Sequence, residues 1–356
     1  MPSLDIPLIL LVSFGVSLIS VFILRQLALK VDLVDAPDHR KSHVGSVPLV
    51  GGISIFVGVA SAFALFPDLG REIIAYIVAA ILIVIIGLLD DQFELKVSFR
   101  LTMQFVVSLV IIIGGDIRIE TLGVFGSGGD FHLGAFSLPF TIFSIMVAMN
   151  AFNFVDGIDG LSGLLFMIAM LSIVILCMLV KGNSINNYLI PLVFLVAIMP
   201  YMAFNLGLLG KNYRVFLGDA GSMLLGLTVA WLLLHYTQHP RNVFSPVTAL
   251  WIIAVPLMDM LAIVVRRARN GKAPFHPDRN HLHHLFMDRG MSDRKALLVI
   301  GILSLIFASI GIIAELYLFS QAAMLITFLA IFFIYYHLMS NFENQTNKQT
   351  VSIKPK

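Results

Sequence analysis

Asn150-Ala-Phe-Asn-Phe-Val-Asp-Gly-Ile-Asp-Gly-Leu161 is a polar island between two apolar runs, residues 137–153 and 160–180. Each run approaches the roughly 20 residues that a helix needs to cross a bilayer. The island therefore reads as the connection between two spanning helices. Asp156 and Asp159 stand three apart, so on a helical turn they share one face, and Asn150 and Asn153 repeat that step. Gly157 and Gly160 leave the backbone open to a ligand. Four oxygen-bearing side chains at this spacing suit a hard divalent cation, or a phosphate held through one. A plain N-cap role for Asp159 is the simpler alternative. It accounts for one carboxylate, not for two Asn and two Asp.

Working outward, apolar runs recur along all 356 residues, which are 58% hydrophobic and 12% charged, with a mean hydropathy of +0.94. A soluble domain carries about 25% charged residues, so the composition specifies an all-α polytopic membrane protein. Spans are expected at 6–27, 48–66, 72–90, 98–114, 137–153, 160–180, 188–206, 216–236, 246–266, 296–314 and 320–338, about eleven transmembrane helices. The first run is longer than the core of a signal peptide and no basic stretch precedes it, so it is expected to remain as a helix. Residues 1–340 are expected to form one integral-membrane domain, and the polar stretch 341–356 is expected to be a disordered cytoplasmic tail. The net charge of +2 is uninformative. The lone Cys177, inside an apolar run, excludes a disulfide framework.

With the N-terminus periplasmic, the outer connections carry Arg71, Arg118, Lys181 and Arg241, and all the other Lys and Arg lie on the inner side. This is the asymmetry of the positive-inside rule, and it places the C-terminus in the cytoplasm. The outer connection 116–136 has alternating residues around Gly126-Ser-Gly-Gly129 and predicts a small periplasmic β-hairpin without chemistry. His235 is expected at the membrane interface.

The polar motifs gather on the inner side. Asp90-Asp91 close the third span, at the negative end of the helix dipole, where carboxylates are disfavoured by about 0.3–1 kcal/mol each. They need a compensating cation, either Lys96 or a bound metal. Asp219, in Phe216-Leu-Gly-Asp-Ala-Gly-Ser222, opens a helix, as an N-cap or as part of a phosphate or metal site. His281, His283 and His284, with Arg266, Arg267, Arg269, Lys272 and Arg279, read as a phosphate receptor, with zinc or anionic lipid as alternatives. Asp259, inside a span, is a functional suspect or the partner of a nearby Arg or polar helix neighbour. Acids, glycines and basic groups on one surface suit a metal-dependent reaction on a phosphorylated lipid. A transporter with a coupling-ion site is the rival, but no internal repeat is visible.

The Asp90-Asp91 pair, Asn150-x-x-Asn153-x-x-Asp156-Gly-x-Asp159-Gly-Leu, Phe216-x-Gly-Asp219-x-Gly-Ser222 and the histidine cluster occur in the order of the polyprenyl-phosphate N-acetylhexosamine-1-phosphate transferase family. The chain resembles that family from about residue 32 to 290. Arg40-Lys-Ser-His43 and Gly51-Gly52 agree as well. Leu282 between the histidines and Leu285 after them resemble the branch that uses UDP-N-acetylglucosamine, not the one that transfers phospho-N-acetylmuramoyl-pentapeptide.

The resemblance implies that undecaprenyl phosphate attacks the β-phosphorus of UDP-GlcNAc, giving undecaprenyl-diphospho-GlcNAc and UMP. This is the first membrane step of O-antigen and enterobacterial common antigen synthesis, at the bacterial inner membrane with the site facing the cytoplasm. It further implies Mg²⁺, with Mn²⁺ able to substitute, held by Asp219 and Asn153. Asp90, Asp91, Asp156 and Asp159 take catalytic roles. Lys41, Asn150, Phe216, Arg267, His281, His283 and His284 surround the substrates. Another UDP-N-acetylhexosamine is the alternative donor. The bilayer is a partner, nucleic acid is not, and a homodimer stays open.

Overall fold

A computed structural model describes residues 5–35, 46–126, 129–182, 184–269, 271 and 281–353. Among the described residues, eight helices are long and apolar enough to cross a membrane, nine if one bent pair counts as a single span, and two shorter apolar helices accompany them. The first is α1 (Ile6–Val31), whose first turn is closed by Asp5 accepting from the Leu8 N–H at 3.2 Å. Then follow α2 (Gly51–Phe63), α3 (Arg71–Phe93), α4 (Val97–Leu109, continued by a π turn to Gly114), α5 (Ser137–Val155) and α6 (Leu161–Lys181). The chain continues through α7 (Leu189–Asn205), α8 (Gly218–Thr237), α9 (Pro246–Ile252), α10 (Ala254–Arg269), α11 (Leu282–Met287), α12 (Asp293–Leu316) and α13 (Gln321–Ile353).

The eleven expected apolar segments are all helical, but three depart from simple spans. The run 48–66 yields only the 13 residues of α2, about 20 Å of helix against a hydrocarbon core of about 30 Å. Its first residues are spent instead on β2 (Val47–Pro48), which pairs with β1 (Val34–Asp35). The run 188–206 gives the 17-residue α7. The run 246–266 breaks between α9 and α10 with an 84° bend. Pro256 explains the break: it has no N–H for the carbonyl four residues back, and its ring crowds that turn. Beyond residue 340, α13 continues to Ile353 in place of the expected disordered tail. That stretch holds no Gly or Pro to stop a helix, and the next proline is Pro355.

Helix α8 is the axis of the bundle, buried along its whole length and packed against α2, α3, α5 and α6. Small residues let its neighbours come close. Gly52 of α2 meets Gly221 backbone to backbone, and a Cβ on Gly87 of α3 would overlap the backbone of Ala220. Higher up, Tyr76 of α3 stacks on Trp231 at 4.3 Å and its hydroxyl lies 2.7 Å from Thr228 Oγ1.

The two ends of the bundle differ. At one, β3 (Thr121–Val124) and β4 (Asp130–His132) form the expected hairpin, tied down by Gln238, which accepts from the Glu120 N–H at 3.0 Å. His235 is buried there beside Glu72, which also binds Arg241 at 2.9 Å, so His235 is an interior partner and not an interfacial residue. The other end carries the polar motifs. Its frame is a backbone clip: Phe216 N–H donates to the Pro48 carbonyl and Gly51 N–H to the Phe216 carbonyl, both at 2.9 Å, locking the start of α2 to the start of α8.

Gly87→Ala is expected to push α3 off α8 and lower the unfolding temperature in detergent, at a cost of about 1–3 kcal/mol for overpacking. Gly15→Ala, where an added Cβ meets nothing within 4 Å, should leave that temperature unchanged.

Candidate active site

The C-terminal ends of α3, α5 and α7 meet the N-terminal ends of α2, α8 and α12 around a cavity of about 770 Å³. Asp90, Asp91, Asp156, Asp159 and Asp219 all line it, joined by Asp35, Glu94, Asp288 and Asp293. Arg214 and His284 are the basic side chains on its described wall. So many carboxylates in one hollow repel one another, and a bound cation relieves that repulsion.

Asp90 and Asp91 divide the work. Asp90 is buried; its Oδ2 lies 2.7 Å from Arg100 Nη1 and its Oδ1 accepts from the Leu95 N–H at 2.8 Å. The compensating cation is thus Arg100, not Lys96. Arg100 also reaches Asp219 Oδ2 at 3.5 Å. Asp91 points the other way and accepts from the N–H groups of Asp219 at 2.8 Å and Ala220 at 3.4 Å. Its charge sits at the positive end of α8, where a carboxylate is favoured. Gly218 makes this possible: its φ is +71°, and a Cβ there would press on the Asp91 carboxylate. Asp219 is therefore not the cap of α8; Asp91 is.

Asp219 is gripped from α5. Asn153 Nδ2 donates to Asp219 Oδ1 at 2.7 Å and to Ser222 Oγ at 2.9 Å. Asn150, one turn earlier, is buried and donates to Gln104 Oε1 at 2.6 Å and the Met146 carbonyl at 2.8 Å. It does not line the cavity, so it stands behind the site.

Residues 156–160 form a turn between α5 and α6, not a helical turn, and Gly160, not Asp159, precedes α6. Asp159 is paired with Arg214 at 2.9 Å. Burial, then the charges of Asp91 and Asp159, push the Asp156 carboxyl up to about 7. Gly157 is needed for close approach, but by protein: a Cβ there would overlap the ring of His283.

The histidines split as well. His284 lines the cavity. His283 is buried, and burial, with His284 and His281 beside it, pushes it down to about 3, so it is neutral and no phosphate-binding cation. His281 is buried with Nδ1 3.0 Å from Asp259. The intramembrane acid thus pairs with a histidine from the following loop. Arg267 is buried, its guanidinium 5.9 Å from the Phe154 ring centre. Phe216 is on the cavity wall. Lys41, with Lys272 and Arg279, falls outside the described residues.

Among the described residues, no three His, Cys, Asp or Glu side chains form a group that could by themselves hold a metal ion. A magnesium ion does not need one. It takes one or two carboxylates and completes its octahedron with substrate phosphates and water. Asp219, with Oδ1 held by Asn153 and its side chain on the cavity, fits that donor set. Arg100 and Arg214 pair with the aspartates of the site, and the sequence reading did not name them. Their signal was present: Arg100 lies in the first turn of the helix that follows the Asp pair, and Arg214 lies two residues before Phe216.

The sequence model of glycosyl transferase family 4 matches residues 73–237. The undecaprenyl-phosphate alpha-N-acetylglucosaminyl 1-phosphate transferase of Escherichia coli K12 is 42% identical over 315 residues, 88% of this chain and 85% of that protein. The protein of the same name from Yersinia pestis is 42% identical over 323 residues, 90% and 88% of the two chains. That from Haemophilus influenzae is 39% identical over 331 residues, 93% of each.

The raised value of Asp156 sets a pH dependence. Its charged form is disfavoured in the fold, so this group costs stability as pH rises from about 4, its ordinary value, through about 7. With divalent ions removed by EDTA, Asp156→Asn should raise the melting temperature at pH 8 and change it little at pH 4. A fall at pH 8 would contradict the burial of this charge.

Proposed function

This chain belongs to glycosyl transferase family 4, and from that premise we propose how its cavity transfers GlcNAc-1-phosphate to undecaprenyl phosphate. It is a multi-pass membrane enzyme, a glycosyl-1-phosphate transferase. The observation that carries the reading is the meeting of Asp90, Asp91, Asp156, Asp159 and Asp219, from three separate stretches of sequence, on one cavity. UDP-GlcNAc is the donor. An oxygen of undecaprenyl phosphate forms a bond to the β-phosphorus, and the bond from that phosphorus to the bridging oxygen breaks. UMP leaves with the bridging oxygen.

The residues supply position and charge. Asp90 and Asp91 each already accept two hydrogen bonds from the protein, which favours holding roles over that of a free base. The lipid phosphate has a second pKa of about 6 by analogy with other phosphomonoesters, so it is mostly dianionic at neutral pH. Direct displacement then needs no protein base. Asp219 would hold Mg²⁺, or Mn²⁺ in its place, with Asn153 serving that ion by fixing the Asp219 carboxylate. The chemistry that ion supplies when bound is neutralisation of charge on the diphosphate oxygens. Asp156 and Asp159 face the nucleotide-sugar, with Arg214 fixing Asp159. His284 and Phe216, both on the cavity wall, would meet the diphosphate and the substrate, and Arg267 is buried beside Phe154. The excess of Lys and Arg at this end of the bundle supports a cytoplasmic cavity and a periplasmic N-terminus in the bacterial inner membrane.

Protein purified in detergent should release UMP from UDP-GlcNAc only when both polyprenyl phosphate and Mg²⁺ are present. EDTA should abolish release and Mn²⁺ restore it. Asp219→Asn and Asp156→Asn should each lower kcat by about 10²-fold or more, the scale of a lost transition-state contact, while the protein still inserts. UMP release from UDP-GalNAc alone would reassign the sugar. A radiolabelled phospho-protein trapped without lipid acceptor would replace direct displacement by a covalent route.

A further inference from the structure

Asp259 has no part in the chemistry above, yet it is 2% exposed within a spanning helix, where an ionisable residue is expensive to keep. Its carboxylate collects donors from two other segments. Oδ1 accepts from the Leu282 N–H at 3.0 Å and from the Tyr335 hydroxyl of α13 at 2.9 Å, and Oδ2 lies 3.0 Å from His281 Nδ1. Asp259 precedes the end of α10 by ten residues, about 15 Å of helix axis. His281, which reaches it, therefore lies well back from the end of α10.

What it reaches is the start of α11, a helix of six residues. So short a helix has little stability of its own, and its place must be set from outside. One anchor is Asp259. The other is the 156–160 turn, where the bare Cα of Gly157 receives the ring of His283. His281 and His283 lie parallel, ring centres 5.7 Å apart and planes within 5°, so they pass the constraint along. His284, next in the chain, is on the cavity wall.

We propose that Asp259 is a positioning residue for the nucleotide-sugar: through His281 and α11 it sets where His284 stands, and Tyr335 holds the carboxylate for that task. The proposal rests on the reading in which His284 faces the donor diphosphate. It distinguishes Asp259 from a group that merely stabilises the bundle, because the effect travels to one substrate and through one histidine.

The test is steady-state kinetics on the full-length protein in detergent, varying UDP-GlcNAc and undecaprenyl phosphate separately. The variants are Asp259→Ala, Asp259→Asn, Tyr335→Phe, His284→Ala and Asp259→Ala with His284→Ala. The expected result for Asp259→Ala is a rise of about tenfold or more in the ratio of the donor KM to the lipid KM, the scale of a lost outer partner of a binding group. Tyr335→Phe should move the ratio in the same direction by less. In the His284→Ala background, the loss of donor kcat/KM on Asp259→Ala should largely disappear, since both act on one contact. An unchanged ratio, or losses that simply multiply, would overturn the proposal. If Asp259→Ala does not fold, Asp259→Asn and Tyr335→Phe are read by the same ratio, and Asp259→Asn replaces it in the pairing with His284→Ala. Wild-type protein that releases no UMP from UDP-GlcNAc would instead refute the assigned reaction, and is seen before any variant is made.

Discussion

The contact on which the rest depends is the one between the Asp91 carboxylate and the first N–H groups of α8. It joins the end of one helix, where a negative charge is unwelcome, to the start of another, where it is favoured. The same contact fixes the rotation of α8 about its axis and so aims Asp219 into the cavity. Asn153 from α5 and Arg100 from α4 then close on Asp219 from two sides. Four helix ends become one rigid corner, held mainly by charge-assisted hydrogen bonds. Small residues at the crossings of α8 with α2 and α3 are the steric condition for it.

The molecule handles charge in two ways. At the hairpin end, Glu72 is matched by Arg241 and His235, and Glu315 by the hydroxyls of Ser245 and Thr248, so each acid is used up by its own neighbours. At the cavity end, acids outnumber the bases beside them on the described wall. An imbalance of that kind is costly in a folded protein unless something else completes it. A metal ion and a substrate diphosphate are complementary to it together. The diphosphate depends on the ion for this, because by itself it would add to the repulsion.

Much of this was legible in the residues. Eleven apolar segments stand out because length and hydropathy are local properties, and the hairpin stands out because glycines mark its turn. The five aspartates could be gathered from motif order and from the inner-side clustering. What stayed hidden depended on contacts between segments. Nothing local says that Asp91 caps α8, since its partners lie 128 residues away. Asn150 and Asn153 look alike in sequence, but one turn of helix separates a residue behind the site from one that holds Asp219. Gly157 was readable as a position of close approach, but not the identity of the ring that approaches it. Pro256 was visible too, yet the apolar run crosses it without a break in composition, so the bend had no hydropathy signature.

Helix α8 also bears on how the protein is made. Its mean hydropathy, 1.3, is the lowest among the eight spans, and the finished fold shields it from lipid entirely. A segment so weakly oily gains little by resting alone among acyl chains. Of the helices packed around it, α2, α3, α5 and α6 precede it along the chain and α9 follows it, so most of its surroundings come first. Vectorial synthesis therefore builds the socket before the plug arrives. The least lipophilic span, which carries the most chemistry, enters a protein environment already waiting for it.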